Sequence, residues 1–287
     1  MKKVKGYYVL DNLKKMDKEI MGFFSNGWYT DGVNEYLFKR EIGMRAYNEL
    51  FYSKLLQQLG LKAAEYDLAV LGNERGVISK NYNVVGNLTV TVEEVLAKYI
   101  KEDTILERRR EQKKLYNLEN LPGIIRKYCQ ERNWLYNEKL EEDLLLQFII
   151  QIILGNGDLQ SRNIEIQYDE ERQQLNLSPF YDLAYYGDID VYNESGWSAL
   201  TYHFLEKYYE PVEDARPFRV IKNFLKKADR KHVELLREYL ERLEQIDLAR
   251  IIMEIEERTE NVMENESYHL LFSLKRNLKD VSLLAKK

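Results

Sequence analysis

Cysteine, histidine, proline and glycine are all sparse in this chain of 287 residues. The single cysteine, Cys129, leaves no partner for an intramolecular disulfide, and His203, His232 and His269 are too scattered for a zinc-site spacing. Only 4 prolines and 14 glycines exclude a collagen-like or low-complexity linker protein, and 45% hydrophobic content excludes a disordered chain. No long apolar run is present. The most apolar stretch, Leu144–Leu154, is too short for a bilayer and carries Gln147 and Gln151. The first residues, MKKVKGYYVLDNLKK, lack the apolar segment of a secretory signal. Net charge is −5, so no global cationic field draws the chain to DNA or an acidic membrane; the expectation is a soluble, cytoplasmic protein with no direct nucleic-acid or membrane partner.

What is present changes texture near residue 80. Before it, strand-like runs dominate at Val4–Leu10, Glu35–Arg40, Glu65–Leu71 and Gly76–Asn81. One helix interrupts them: Met44, Tyr47, Leu50, Phe51, Leu55 and Leu59 recur at helical spacing, with Gly60 as the stop. After residue 80 the pattern is mostly helical. Thr91–Ile100 opens on a capping hydroxyl, Thr104–Tyr116 is long and charged, and Glu141–Leu154 is apolar on nearly every side. Further amphipathic helices are expected over Pro217–Ala228, Lys231–Gln245, Leu248–Glu257 and Glu264–Leu278. Asn163–Tyr168 and Leu175–Phe180 read as the one strand-like island, a hairpin. Strands followed by helices predict an α+β fold with two lobes, 1–80 and 81–287, rather than a doubly wound sheet.

Several motifs fail on inspection. Gly27-Trp-Tyr-Thr-Asp-Gly32 has P-loop glycine spacing, but Val33-Asn34 stands where Lys and a hydroxyl are required. Gly155-Asn-Gly157 opens like a dinucleotide fingerprint and breaks at Gln160, and no G-x-S-x-G elbow occurs. Arg108, Arg109, Arg110, Lys113 and Lys114 are interleaved with Glu107 and Glu111, the pattern of a solvated helix face.

The chemistry-bearing segment is Gly155-Asn-Gly-Asp158-Leu-Gln-Ser-Arg162-Asn163, followed by the hairpin and Ser178-Pro-Phe-Tyr-Asp182-Leu. An acid and an amide five residues apart, then a second acid where the hairpin closes, suit phosphoryl transfer from ATP with magnesium (Mg2+). One carboxylate orients the acceptor hydroxyl, while an amide oxygen and another carboxylate hold the metal. A kinase also needs a strand lysine to grip phosphates and a helix glutamate to position it. Lys39 in Tyr36-Leu-Phe-Lys39 and Glu49 on the first helix have those places.

EYLFK, NELFYSKLLQQLGLKAAEYDLAV and NGDLQSRN with LSPFYDL together resemble the HipA-like kinases, a branch of the protein-kinase-like superfamily. The resemblance implies a two-lobed fold with a small β-rich N-terminal lobe and a larger helical lobe. It makes Asp158 the catalytic base, Asn163 and Asp182 magnesium ligands, and Lys39 the phosphate anchor paired with Glu49. Arg162 keeps the positive charge of the family's lysine, and Val77–Tyr82, with Ile78, Ser79, Lys80 and Asn81, becomes the hinge under adenine. It further implies a protein Ser/Thr kinase acting on a protein substrate, with a toxin-like role and an antitoxin-like partner as extensions. Gln160 replaces the family's usual His, and no Ala-Gly-Ala-Gln loop precedes the lysine, so a short core-only member is expected. Self-phosphorylation of Ser25 or Thr30, in the loop before Lys39, would lower activity by repelling ATP. Ordinary capping by those hydroxyls is the simpler role. A small-molecule or lipid-headgroup kinase, and a nucleotide-binding pseudokinase scaffold, are the alternatives.

Overall fold

Short alternating segments become strands wherever a turn residue lets the chain reverse. In this computed structural model the described residues are 2–4, 6–18, 27–42, 45–83, 87–101, 120–137, 139–154, 161–183 and 230–259, with single positions at 104, 107, 111, 115, 271, 274–275, 278–279 and 282. The contacts divide the chain into two units. Met1–Val84, Pro179–Gly187 and Gln245–Phe272 form the first; Val85–Ser178, Asp188–Glu244 and Ser273–Lys287 form the second. Two later segments thus belong with the N-terminal strands.

The first unit holds seven strands: β1 (Lys2–Val4), β2 (Tyr7–Val9), β3 (Lys14–Lys15), β4 (Gly27–Thr30), β5 (Glu35–Arg40), β6 (Tyr66–Leu71) and β7 (Glu74–Lys80). Their order is β1-β2-β6-β7-β5-β4-β3, antiparallel throughout except where β2 runs parallel to β6. Two expectations are corrected here. Val4–Leu10 is not one strand: Gly6, at φ 84°, reverses it into the β1–β2 hairpin. Gly27–Thr30, read as part of the loop before Lys39, is strand β4 and pairs with β5 from Gly27↔Phe38 to Thr30↔Glu35. Leu10, Tyr29, Phe38, Ala69 and Ile78 form a buried cluster, with Tyr29 and Phe38 edge to face at 6.4 Å. Burying one such phenylalanine contributes about 1.5–3 kcal/mol.

Helix α1 (Arg45–Gln58) packs on β6 and β7. It ends as its sequence dictates. Gly60 takes φ 73°, its N–H donates to Gln57 O, and Leu61 N–H donates to Leu56 O, both at 2.9 Å.

In the second unit β8 (Asn87–Thr91), β9 (Glu165–Asp169) and β10 (Gln174–Leu177) form an antiparallel sheet, with β9 central. The hairpin is therefore not an isolated island; β8 extends it, a partnership invisible in a stretch with few apolar residues. Helix α2 (Val92–Ala97) begins with a capping box between Thr91 and Glu94. Helices α3 (Leu121–Glu131) and α4 (Lys139–Leu154) follow, and Trp134 stacks on Tyr168 at 4.8 Å. Near the C-terminus α5 (Arg230–Gln245) belongs almost wholly to the second unit. Helix α6 (Leu248–Thr259) belongs to the first, where it packs on α1 and its Arg258 bonds Asp67 and Gly6 O. The helix expected over Pro217–Ala228 lies outside the described residues, as do most of Glu264–Leu278 and of Thr104–Tyr116 with its basic patch.

Candidate functional site

Lys39 reaches its place through the period-2 geometry of β5. Phe38 joins the apolar cluster on one face, so its neighbour Lys39 projects to the opposite face, where α1 packs. The strand is held on both sides by β4 and β7. Gly76, opposite Arg40, makes the β7 side possible: a Cβ there would come within 2.1 Å of the Lys39 carbonyl oxygen.

Lys39 is 8% exposed and Glu49 4%. The lysine Nζ donates to both Glu49 carboxylate oxygens, at 2.6 and 2.7 Å, and to Asp182 Oδ1 at 2.8 Å. Burial works against the ammonium, but the Asp182 and Glu49 carboxylates outweigh it and hold Lys39 well above its ordinary pKa. For Glu49 burial dominates and raises the pKa, with Asp182 adding to it and Lys39 opposing. One cation facing two carboxylates leaves surplus negative charge.

Asp182 is placed by a short added bridge. Phe180 pairs in parallel with Ala63; its N–H donates to Lys62 O at 2.9 Å, and its carbonyl accepts from Ala64 N–H at 2.7 Å. Asp182 then turns at φ 54°, a left-handed conformation an aspartate tolerates better than most residues, and its side chain stays 37% exposed. Tyr181 packs on Tyr82, rings 5.5 Å apart. Asn163 belongs to the second unit. It is buried at the end of a 3-10 turn, Ser161–Asn163, that leads into β9 and leaves Arg162 exposed.

The structure thus brings together Lys39, Glu49 and Asp182, which sequence reasoning singled out. Asp158, Gln160 and Ser25 lie outside the described residues, as do His203 and His269. Ile78 and Ser79 pair with both β5 and β6, and Lys80 with β5, so the backbone of 78–80 is committed to the sheet. Asn81 follows the strand, donating its N–H to Glu35 O at 2.8 Å. The hydroxyl of Thr30 is used locally: it donates to Asn34 O at 2.8 Å and accepts from Gly32 N–H at 3.0 Å. Sequence reasoning missed Tyr66, whose ring lies 5.5 Å from Lys39 Nζ. A tyrosine opening a strand carries no signal of such a role. Among the described residues no cluster of three His, Cys, Asp or Glu side chains could hold a metal, and no helix is long and apolar enough to cross a membrane.

A family model described as the HipA-like C-terminal domain matches residues 23–263. The chain belongs to this family. Two solved structures share its fold. The crystal structure of the Helicobacter pylori proinflammatory kinase CtkA superposes with a TM-score of 0.64 at 16% identity, over 98% of this chain and 99% of that one. Shewanella oneidensis MR-1 HipA, in a toxin–antitoxin complex with HipB and operator DNA, gives 0.57 at 16% identity, over 96% of this chain and 66% of that one. No curated protein matches the chain. The HipA-like protein therefore has a kinase-like α+β fold. The exclusion of nucleic acid from net charge finds no support here, because the HipA relative was solved with operator DNA.

Proposed function

We propose that this HipA-like protein is an ATP-dependent protein Ser/Thr kinase that transfers the γ-phosphoryl group of MgATP to a protein hydroxyl. The observation that carries the reading is the buried lysine Lys39, bonded to a helix glutamate at 2.6 Å and to Asp182 at 2.8 Å, in a chain of this family. In this reading Lys39 anchors the α- and β-phosphates, released from Asp182 while Glu49 keeps it in place. Asp158 orients the acceptor hydroxyl and takes its proton, and Arg162 adds positive charge beside it. The backbone that meets adenine follows β7, at Asn81–Asn83, since residues 78–80 are committed to the sheet.

The donor chemistry suits magnesium. Asp182 offers a partly exposed carboxylate beside surplus negative charge, and Asn163 offers an amide oxygen, both hard ligands. Magnesium held by such ligands would supply positive charge against the β- and γ-phosphates. A small molecule or lipid headgroup as acceptor, and a scaffold without transfer, remain the competing readings. An antitoxin-like partner, with or without DNA, is proposed on the strength of the HipA complex alone. A cytoplasmic location is proposed from the single unpaired cysteine.

Incubation with MgATP and candidate protein acceptors, followed by intact-mass analysis, tests the proposal, with a thermal-shift titration alongside. Added phosphate and a magnesium-dependent rise in Tm are expected, because a ligand that binds only the native state stabilises it. Absence of both overturns it. A Tm rise without phosphate favours the scaffold reading, and Asp182→Asn is expected to remove most of the magnesium-dependent rise. Peptide mapping of the product decides self-phosphorylation at Ser25 or Thr30.

A further inference from the structure

Ser53 has no part in the catalytic scheme above, yet every hydrogen bond its hydroxyl can make is committed. It lies on α1, 2% exposed. A serine inside a helix commonly returns its hydroxyl to the carbonyl one turn back. Ser53 Oγ instead donates out of the helix, to Ala64 O at 2.7 Å, and accepts from Tyr66 N–H and Gln57 Nε2, each at 3.3 Å. One donor and two lone pairs are all that a hydroxyl has. The segment it holds, between α1 and β6, is the one that receives Phe180. Ala64 N–H donates to Phe180 O at 2.7 Å, and Phe180 N–H donates to Lys62 O at 2.9 Å. Two residues farther on, Asp182 Oδ1 meets Lys39 Nζ at 2.8 Å. Glu49, the other carboxylate on Lys39, lies one turn before Ser53 on the same face of α1.

We infer that Ser53 is a positioning residue: by anchoring Ala64 to α1, its hydroxyl sets the bridge that carries Asp182 to Lys39. That bridge is a single pair of hydrogen bonds, too little to place a carboxylate unless the receiving segment is itself held. Ser53 supplies the hold from the helix that bears Glu49. One helix therefore fixes both carboxylates around the ammonium, Glu49 directly and Asp182 through Ala64 and Phe180. Asp182 keeps its place when Lys39 turns to phosphate. In the kinase reading, on which this functional role rests, that place is a magnesium ligand's, so Ser53 tunes metal affinity without touching metal or nucleotide.

A double-mutant cycle of Ser53→Ala and Asp182→Asn, read by urea unfolding of the full chain without nucleotide, tests this. Coupling of about five-fold in the unfolding constant is expected between residues 53 and 182. A serine that only stabilises its own surroundings gives additive effects, within about two-fold. Additivity overturns the inference whether or not the protein transfers phosphate. Ser53→Cys, of similar volume and with a much weaker donor, takes the place of Ser53→Ala if the alanine variant does not fold. Thermal-shift titration with magnesium at fixed ATP then reads the functional role. The half-saturating magnesium concentration is expected to rise about ten-fold in the Ser53 variant, the scale of loss when the support of a metal ligand is removed. An unchanged magnesium dependence overturns that role. Coupling in a chain whose wild type shows no magnesium-dependent rise in Tm would sink the kinase reading and leave the positioning of Asp182 standing.

Discussion

The two units bury polar groups of different kinds. In the first unit the described buried polar side chains include a full charge pair, Lys39 and Glu49, together with Asn48, Ser53, Ser79 and Thr259. In the second they are all neutral: Gln147, Gln151, Ser161, Asn163, Gln167, Ser178 and Ser282. Taking two ions out of water costs more than most pairs return, so a buried pair is weak as a device for stability. A buried amide costs far less and can be matched by local hydrogen bonds. The contrast agrees with a charged pair that serves the proposed chemistry rather than stability. The pair sits where β5 and α1 hold it rigidly, while the apolar cluster on the other face of the sheet supplies stability.

Lys39→Met strikes this contrast hardest. It leaves Glu49 buried beside Asp182 with no cation, and is expected to cost about 3–5 kcal/mol in urea unfolding at neutral pH, along with phosphoryl transfer. Without the lysine the Glu49 pKa, already raised by burial, rises further above its unfolded value. A raised folded pKa contributes stability at low pH that is lost as pH climbs, so the deficit should shrink near about pH 5. An equal deficit at both pH values would mean that Glu49 is not the buried acid responsible.

Asp158→Ala comes next. It should fold and bind nucleotide normally, yet lose transfer by about two orders of magnitude in single-turnover assays. Wild-type turnover would remove Asp158 from the mechanism. Gly76→Ala is expected to cost about 1–3 kcal/mol in thermal unfolding, because its Cβ meets the Lys39 carbonyl and forces β5 and β7 apart. An unchanged Tm would show that the close approach is not rigid.

The second unit should answer differently. The Gln147 carboxamide oxygen is buried without a hydrogen-bond partner, so Gln147→Met should be neutral or stabilising by about 1 kcal/mol, and a large loss would contradict the contrast. The smallest effect is at Cys129, whose thiol burial pushes up to about 11. At about pH 8 a thiol reagent should find almost no thiolate until the chain unfolds, and prompt labelling of native protein would mean its surroundings open.

What could be read without coordinates was local. Gly60 after an amphipathic run marks the Schellman end of α1, the Thr91-to-Glu94 spacing marks the capping box of α2, and Asp169–Gln174 marks the β9–β10 turn. Each depends on residues three to six positions apart, so the sequence encodes it outright. Lys39 and Glu49 were legible too, as a lysine on a strand followed ten residues later by a glutamate on a helix. Tertiary structure decided the rest. β8 joins β9 across more than seventy positions, β2 lies parallel to β6, and α6 returns from residue 248 to pack on α1. No periodicity records such partners, because pairing depends on which surfaces meet and local patterning only makes those surfaces. The Tyr66 ring beside Lys39 and the Lys39–Asp182 bond belong here too. Residue type states what a side chain can donate or accept, and the burial that sets its partner and its charge arises only when distant segments close around it.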